Sequence, residues 1–295
     1  LVTRRACLVG LVIAPTALWA LSDQPEAAST TAVRPTVHSQ RYMAVTANRY
    51  ASEAAVTKME QGDNAVDAAL AAQGMRTQVG PQSSVSGGGA FLLHWQAETK
   101  KIRSWDGRET ARRVTGTNSP DLATQGFFRR ADGSPAGYAE MIATGRAVGA
   151  PGVVPMLKLA HQAQGRLPWA TTFEPAIALA ESGFLVSMRL NKLLTNDSFL
   201  RKDPASFALY YNADGSAKQV GERLKNPALA KTLRAIAESG PRAMQEGEIA
   251  QAIVSAMIAR GAPANDILSL SDIADYRAKE RDPVCGRYRT WKICS

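Results

Sequence analysis

The chain has 295 residues, 45% of them hydrophobic, which is enough for one large buried core or two smaller ones. The formal net charge is +9, but lysine and arginine are spread along the chain in short pairs such as Lys100-Lys101 and Arg112-Arg113. No aromatic residues alternate with these pairs, so the composition favours a solvated basic surface and argues against a nucleic-acid partner.

The amino terminus has the pattern of a targeting segment. Two arginines precede an apolar run over residues 6–21, and small residues follow it. This pattern predicts a secretory signal peptide over residues 1–29, and therefore a secreted or periplasmic protein. A retained membrane anchor is the alternative, although the run is short for a membrane span and Pro15 interrupts it. Residues 30–40 are expected to form a disordered lead-in.

The folded region is expected to cover residues 41–295 and to begin with mixed strands and helices. Gly62 accepts the left-handed conformation that ends a helix, and Asp63 or Asn64 can cap the next one. That second helix is rich enough in alanine to pack closely against a sheet. The predicted elements are a strand at 42–47, helices at 52–60 with Ser52 as cap and 65–75, and strands at 90–95 and 101–105.

Helices dominate the middle of the chain. Capping residues and first-turn prolines recur between the apolar segments there. The predicted helices span about 154–164, 173–182, 188–194, 228–238 and 249–260, followed by a helical turn at 271–276 and one strand at 286–293. Strands towards both ends with helices between them predict an α+β fold in one large unit.

The cysteine and histidine residues indicate no metal centre, and no metal or cofactor is expected. His38, His94 and His161 lie far apart and fit no metal-ligand spacing. Cys285 and Cys294 are close enough to pair across adjacent strands in an oxidising compartment. Two unpaired small core residues are the favoured interpretation, and the pairing stays open.

A run of three glycines precedes the strand at Ala90. Gly87, Gly88 and Gly89 free the backbone for close approach, and successive amides in such a loop can form an anion-binding concavity. A tight connection into the strand is the alternative. The glycines are consecutive and precede a strand rather than a helix, so they match neither a dinucleotide-binding fingerprint nor a P-loop.

Arg108 follows the second strand of the same region. Its guanidinium offers a planar fork that matches a carboxylate in two parallel hydrogen bonds. The alternative role is an ion pair with Asp106, with Glu109 or with a partner across the sheet. Ser83 and Ser84 have no histidine or lysine close in sequence and no strand-turn-helix elbow, so loop hydrogen bonding is their expected role.

Several short segments occur in an order that is characteristic of one enzyme family. They are residues 62–69, 81–84 with 87–89, 106–111, 149–152, 165–169, 175–177, 226–230 and 286–289. Together they resemble the γ-glutamyltransferase (γ-glutamyl transpeptidase) family over residues 44–292. Each segment alone is moderately specific, and their shared order carries the resemblance.

The resemblance implies a four-layer αββα sandwich of the Ntn-hydrolase type, made as a precursor that cuts itself into a large and a small subunit. The small subunit's amino-terminal threonine is the family's nucleophile, and its own α-amino group can serve as base. Enzymes of this family transfer a γ-glutamyl group, typically from glutathione, to water or an amino acid. The family's arginine for the substrate α-carboxylate matches Arg108, with Gly87, Gly88, Gly89 and Glu109 as possible loop support.

The chain also departs from the family pattern. Val85 and Ala90 stand where glycine is frequent, and Arg112 stands where proline is common. The nucleophilic threonine is expected beyond Ser295, so the chain is expected to be a truncated large subunit without a catalytic residue, whose partner is the small subunit of the same precursor. A non-catalytic binding or remnant half-fold and a related β-lactam (cephalosporin) acylase are the alternatives.

Overall fold

The computed structural model describes residues 36–62, 64–113, 130, 132–261 and 267–295. The predicted signal peptide and the first part of the lead-in lie outside these residues, so both stay predictions. Among the described helices, none combines the length and the apolar character needed to cross a bilayer.

Helices and strands form an α+β arrangement in which most of the helices lie in the middle of the chain. The helices are α1 Arg49–Glu60, α2 Ala65–Val79, α3 Tyr138–Ile142, α4 Val153–Gln164, α5 Glu174–Ser182, α6 Met188–Asn196, α7 Pro204–Tyr210, α8 Pro227–Ser239, α9 Arg242–Gln245, α10 Gly247–Ala259 and α11 Leu270–Ala274. The strands are β1 Ala90–Gln96, β2 Lys101–Gly107, β3 Phe184–Leu185, β4 Arg223–Leu224, β5 Lys279–Arg281, β6 Cys285–Tyr288 and β7 Trp291–Cys294.

The first helix begins three residues earlier than predicted. Asn48 is its cap, and its side chain accepts a hydrogen bond from the amide of Tyr50 at 3.1 Å. Ser52, the predicted cap, instead accepts from the amide of Thr46 at 3.1 Å. That contact holds residues 42–47 as irregular backbone, so the predicted strand there is wrong. Gly62 ends the helix with φ +93°, as predicted.

Helix α2 lies at the centre of the main core and is buried on most of its surface. Asn64 caps it, accepting from the amides of Val66 and Asp67 at 2.9 and 3.0 Å. Small side chains bring α5 close, because a methyl group placed at Gly74 would lie 3.2 Å from Ala176. The helix continues to Val79, beyond the predicted end near residue 75.

The middle helices α4, α5, α6, α8 and α10 lie within a few residues of their predicted bounds. Helix α7 was not predicted. Its signal is local: Asp203 caps it by accepting from the amide of Ser206 at 2.9 Å, and Pro204 occupies its first position.

The sheet that carries the glycine-loop region has three antiparallel strands in the order β1-β2-β5. Trp105 is fully buried on its inner face, against α4 in the main core. Because side chains alternate along a strand, Phe91, Leu93 and Trp95 point to the opposite face, where they are 65%, 47% and 55% exposed. The sheet is therefore covered by helices on one face, and on the other it exposes an apolar row along β1 beside polar and charged side chains of β2 and β5.

The carboxyl-terminal segment is a hairpin of β6 and β7 rather than the single predicted strand. The chain reverses at Arg289, which has φ +55°. The register places Cys285 opposite Cys294, with Cα atoms 4.1 Å apart, and the two form a disulfide. The favoured interpretation of two unpaired core cysteines is therefore wrong, because the turn brings together side chains that a single strand would separate.

A fully buried carboxylate joins the start of α2 to the segment after α4. Asp67 accepts hydrogen bonds from the amides of Arg166 and Leu167 at 2.9 and 3.4 Å. The Nε2 of His161 lies 2.8 Å from the carbonyl oxygen of Leu167 and 3.8 Å from the Asp67 carboxylate. Asn64 adds a hydrogen bond to the carbonyl oxygen of Gln164. Two segments that are a hundred residues apart are thus held together by polar groups inside the core.

Substitution of Asp67 by alanine should lower the free energy of unfolding by about 3 kcal/mol, because the amides of Arg166 and Leu167 lose a fully buried carboxylate acceptor. Glu53→Ala is the matched control, since Glu53 is exposed and pairs with Arg49 one helical turn away, and about 0.5 kcal/mol is expected there. Chemical denaturation of both variants measures the difference. Equal losses would contradict the structural role of Asp67.

Candidate functional site

Arg108 lies directly after β2, where the chain leaves the sheet. Its backbone amide donates to Oδ1 of Asp106 at 2.8 Å, which forms a tight turn at the strand end. The guanidinium is 69% exposed, and its Nη1 lies 3.0 Å from Oε2 of Glu109. The sequence left Asp106 and Glu109 open as ion-pair partners, and the structure pairs Arg108 with Glu109.

Asp106 binds the backbone amide of Arg108 and so stabilises the turn; it does not pair with the Arg108 guanidinium. The hydrogen bond from the Arg108 amide is the main cause that lowers the pKa of Asp106, and Arg281, whose Nε donates to Oδ2 at 2.6 Å, lowers it further. The carboxylate is therefore ionised at neutral pH and occupied by two donors. The guanidinium of Arg108 is left facing solvent beside one carboxylate.

Tyr276 fixes the carbonyl group of Arg108 by a hydrogen bond. Its buried hydroxyl donates to the Arg108 carbonyl oxygen at 2.8 Å. Burial raises the pKa of Tyr276 to about 12, assisted by the charges of Asp106 and Glu109, so the hydroxyl keeps its proton at neutral pH. The sequence carries no signal for this contact, because Tyr276 lies 168 positions from Arg108 and belongs to no local motif.

A second anchor holds the chain five residues after Arg108. The amide and Nε of Arg113 donate to Oδ1 of Asp272 at 3.1 and 3.0 Å, and its Nη2 donates to Asp275 at 2.6 Å. Asp272 also accepts from the amide and hydroxyl of Ser269 in the capping box of α11. The loop that bears Arg108 is thus tied to α11 at one end and to the sheet at the other.

The glycine loop packs against Glu109 and the start of α4. The carbonyl oxygen of Gly88 accepts from the amides of Gly152 and Val153 at 2.9 and 3.0 Å. Amides at the amino terminus of a helix have no acceptor within the helix, and here the Gly88 carbonyl oxygen supplies one. A methyl group at Gly89 would lie 2.8 Å from the Glu109 amide nitrogen and would overlap the Glu109 carboxylate. The glycines are therefore needed because the loop backbone packs directly against Glu109.

Glu109 is enclosed from a second side. A methyl group at Gly149 would lie 2.7 Å from Cβ of Glu109, and the adjacent Ala150 amide donates to the Thr110 carbonyl oxygen at 2.8 Å. The Oε2 atom that meets Arg108 is buried and makes an ion pair without hydrogen-bond geometry. Segments 87–89, 106–111 and 149–152, which were separate motifs in the sequence, meet around this one side chain.

The two serines before the glycine run have local roles. The hydroxyl of Ser84 donates to Gln73 at 3.1 Å, and the amide of Ser83 donates to the Gly80 carbonyl oxygen at 3.1 Å. Trp169 is buried and its Nε1 donates to the Ile236 carbonyl oxygen at 2.8 Å. Within the described ranges, no three His, Cys, Asp or Glu side chains are grouped to hold a metal ion.

Comparison with known proteins finds the same family along most of the chain. A sequence model of gamma-glutamyltranspeptidase matches residues 51–295. The glutathione hydrolase proenzyme of Escherichia coli (strain K12) is 31% identical over 260 residues, which cover 88% of this chain and 42% of that protein. An acylase ACY 1 proenzyme of Pseudomonas sp. (strain V22) is 31% identical over 276 residues, 91% of this chain and 47% of that protein.

The fold agrees with that of solved relatives. The crystal structure of Helicobacter pylori gamma-glutamyltranspeptidase superposes with a TM-score of 0.78 at 28% identity, over 88% of this chain and 71% of that chain. The predicted α+β fold of the Ntn-hydrolase type is confirmed by this likeness. The chain spans about two fifths of the length of the E. coli relative.

The glycine loop offers a matched pair of substitutions. Gly89→Ala should lower the free energy of unfolding by about 2 kcal/mol, because the methyl group enters space that Glu109 occupies. The melting temperature should fall accordingly. Gly87→Ala should be nearly neutral, because a methyl group there has no heavy atom within 4 Å. Thermal unfolding followed by circular dichroism compares them. A similar loss in both variants would refute the packing role assigned to Gly89.

Proposed function

The chain belongs to the γ-glutamyltranspeptidase family, and from that premise we propose that it is the large-subunit part of a γ-glutamyl acyltransferase and hydrolase. Glutathione or a related γ-glutamyl compound is the donor, and water or an amino acid is the acceptor. The observation that carries the proposal is the exposed Arg108 guanidinium, held on a loop that is fixed from both sides.

Arg108 would bind the α-carboxylate of the donor. Its backbone is fixed through the Asp106 and Tyr276 hydrogen bonds, so only the side chain needs to reorient towards a ligand. A planar guanidinium gives a carboxylate two parallel hydrogen bonds, and each bond between charged groups contributes about 1.5–3 kcal/mol. Glu109 would orient the guanidinium from its buried position without satisfying all five of its N–H groups.

The chemical step would use a nucleophile outside the described residues. In the proposal, the amino-terminal threonine of a small subunit, released by self-cleavage beyond Ser295, attacks the γ-carbonyl carbon. Its own α-amino group takes the hydroxyl proton, which requires no histidine. The amide bond of the donor then breaks, and its amine leaves with that proton. The acyl-enzyme ester that remains passes the γ-glutamyl group to water or to an amine, and the threonine hydroxyl is regenerated.

The open face of the sheet supports a second subunit as partner. Phe91, Leu93 and Trp95 form an exposed apolar row beside the strand that leads to Arg108. An exposed apolar row favours association, and a second sheet layer from the small subunit would cover it. This arrangement would complete the four-layer sandwich that the family resemblance implies.

We also propose a secreted or periplasmic location, directed by residues 1–29. The disulfide between Cys285 and Cys294 supports an oxidising compartment. A β-lactam acylase remains the second candidate, because the acylase ACY 1 proenzyme matches this chain over 91% of its length. The same arginine could hold the terminal carboxylate of a glutaryl side chain in that reaction.

In the complete enzyme, Arg108→Ala should lower kcat/KM for a γ-glutamyl anilide by about 30-fold, mainly through KM, because the lost contact binds a part of the donor that does not react. Arg49→Ala is the control, since Arg49 is exposed on α1 and pairs with Glu53 one helical turn away rather than with a group of the Arg108 loop. Steady-state kinetics over a range of donor concentrations separates the two constants. An unchanged kcat/KM would leave Arg108 with a structural role only.

Residues 30–295 alone should release no product from a γ-glutamyl anilide above a heat-killed control, because the proposed nucleophile is absent from them. The assay follows the coloured anilide product by absorbance. Folding is checked by circular dichroism, so that inactivity is measured on a folded chain. Turnover by the folded segment would show that a group within it performs the chemistry, contrary to the proposal.

A further inference from the structure

A basic cavity lies at the end of the sheet opposite to Arg108, between the β1–β2 turn and the terminal hairpin. Its volume is about 730 Å³. The disulfide forms part of its wall, together with side chains from the sheet and the hairpin. The lining residues that matter here are Trp95, Lys100, Lys101, Lys292, Cys285 and Cys294.

The hairpin presents its charged face to this cavity. Cys285 pairs with Cys294 and Arg287 pairs with Lys292, and side chains two positions apart on a strand share a face. The disulfide and two cations therefore lie on the same side of the hairpin, and Cys285 is exposed to solvent. A small solute that enters the cavity can reach the sulfur atoms.

The cavity carries uncompensated positive charge. Arg103, which also lines it, is neutralised by Glu280 through two hydrogen bonds of 2.7 Å. Lys100, Lys101 and Lys292 form no ion pair within the part of the chain that the structure describes. Three free ammonium groups around a concave wall attract small anions.

We propose that the Cys285–Cys294 disulfide is a site of thiol–disulfide exchange that prefers small thiols bearing carboxylates. A thiolate of this class attacks one sulfur, the Cys285–Cys294 bond breaks, and a mixed disulfide forms while the other cysteine leaves as a thiolate. A second thiol of the same class attacks the mixed disulfide. The products are a small-molecule disulfide and a protein dithiol, and the two thiols supply both electrons.

The lysines would act at two stages of this exchange. Before the reaction they concentrate the anionic thiol at the cavity, and during it they stabilise the cysteine thiolate that leaves. Trp95 and Pro283 give the rest of the cavity an apolar wall on which a peptide-like backbone can lie. This exchange needs only the described residues and stands whether or not the chain takes part in γ-glutamyl transfer.

The test measures reduction rates on the full chain. Tryptic mapping first establishes the Cys285–Cys294 link. Reduction by mercaptosuccinate, 2-mercaptoethanol and cysteamine is then compared at equal thiolate concentration, at low and at high salt. Mercaptosuccinate should react about tenfold faster than 2-mercaptoethanol at low salt, cysteamine should be slowest, and high salt should remove the differences.

Two variants of equal net charge separate the cavity from the overall charge of the protein. Lys100→Gln, Lys101→Gln and Lys292→Gln together should abolish the preference for mercaptosuccinate. Lys192→Gln, Lys218→Gln and Lys231→Gln together should keep it, because none of these lysines lines the cavity.

Three results would overturn the proposal: equal rates for anionic and neutral thiols, equal effects of the two triple variants, or unlinked cysteines in the tryptic map.

Discussion

The end of β2 and the start of α4 approach so closely that only glycine fits between them. A methyl group at Gly107 would lie 2.7 Å from the Gly152 carbonyl oxygen and would collide with Met156. A short distance away, Gly89 and Gly149 enclose Glu109 in the same manner. Because the Gly88 carbonyl also satisfies the first amides of α4, the loop, the strand end and the helix form one rigid junction. Arg108 takes its position from that junction.

This junction connects the fold to the proposed chemistry. A flexible arginine would lose conformational entropy on binding a carboxylate, whereas a fixed backbone confines that loss to the side chain. Tyr276 and Asp272 add to the constraint from the opposite side, through the Arg108 carbonyl and the Arg113 amide. The open apolar face with Phe91 and Leu93 begins on the neighbouring strand. A carboxylate site and a surface suited to a second subunit are therefore adjacent features of one sheet.

Local signals in the sequence were sufficient for most helices and for the first hairpin. Asn64 and Ser187 cap α2 and α6 through their own side chains, so the information lies within three residues. Longer-range contacts could not be predicted in this way. The strand proposed at 42–47 fails because Ser52 takes the Thr46 amide.

The same limit applies to the site. Arg108 and the glycines were recognisable from their motifs. The hydrogen bonds of Asp67 and Tyr276, in contrast, join positions about a hundred residues apart or more. The pairing of Cys285 with Cys294 depends on a turn at Arg289, where a non-glycine residue adopts φ +55°. None of these contacts has a periodic pattern, so only the folded chain reveals them.

The central claim is that Arg108 recognises the α-carboxylate of a γ-glutamyl donor. The most direct test compares two donors on two forms of the complete enzyme. The donors are a γ-glutamyl anilide and its α-carboxamide analogue, and the enzymes are the wild type and Arg108→Ala. The account predicts that the wild type prefers the carboxylate by about 30-fold in kcat/KM, and that the variant shows almost no preference. An undiminished preference in the variant would contradict it.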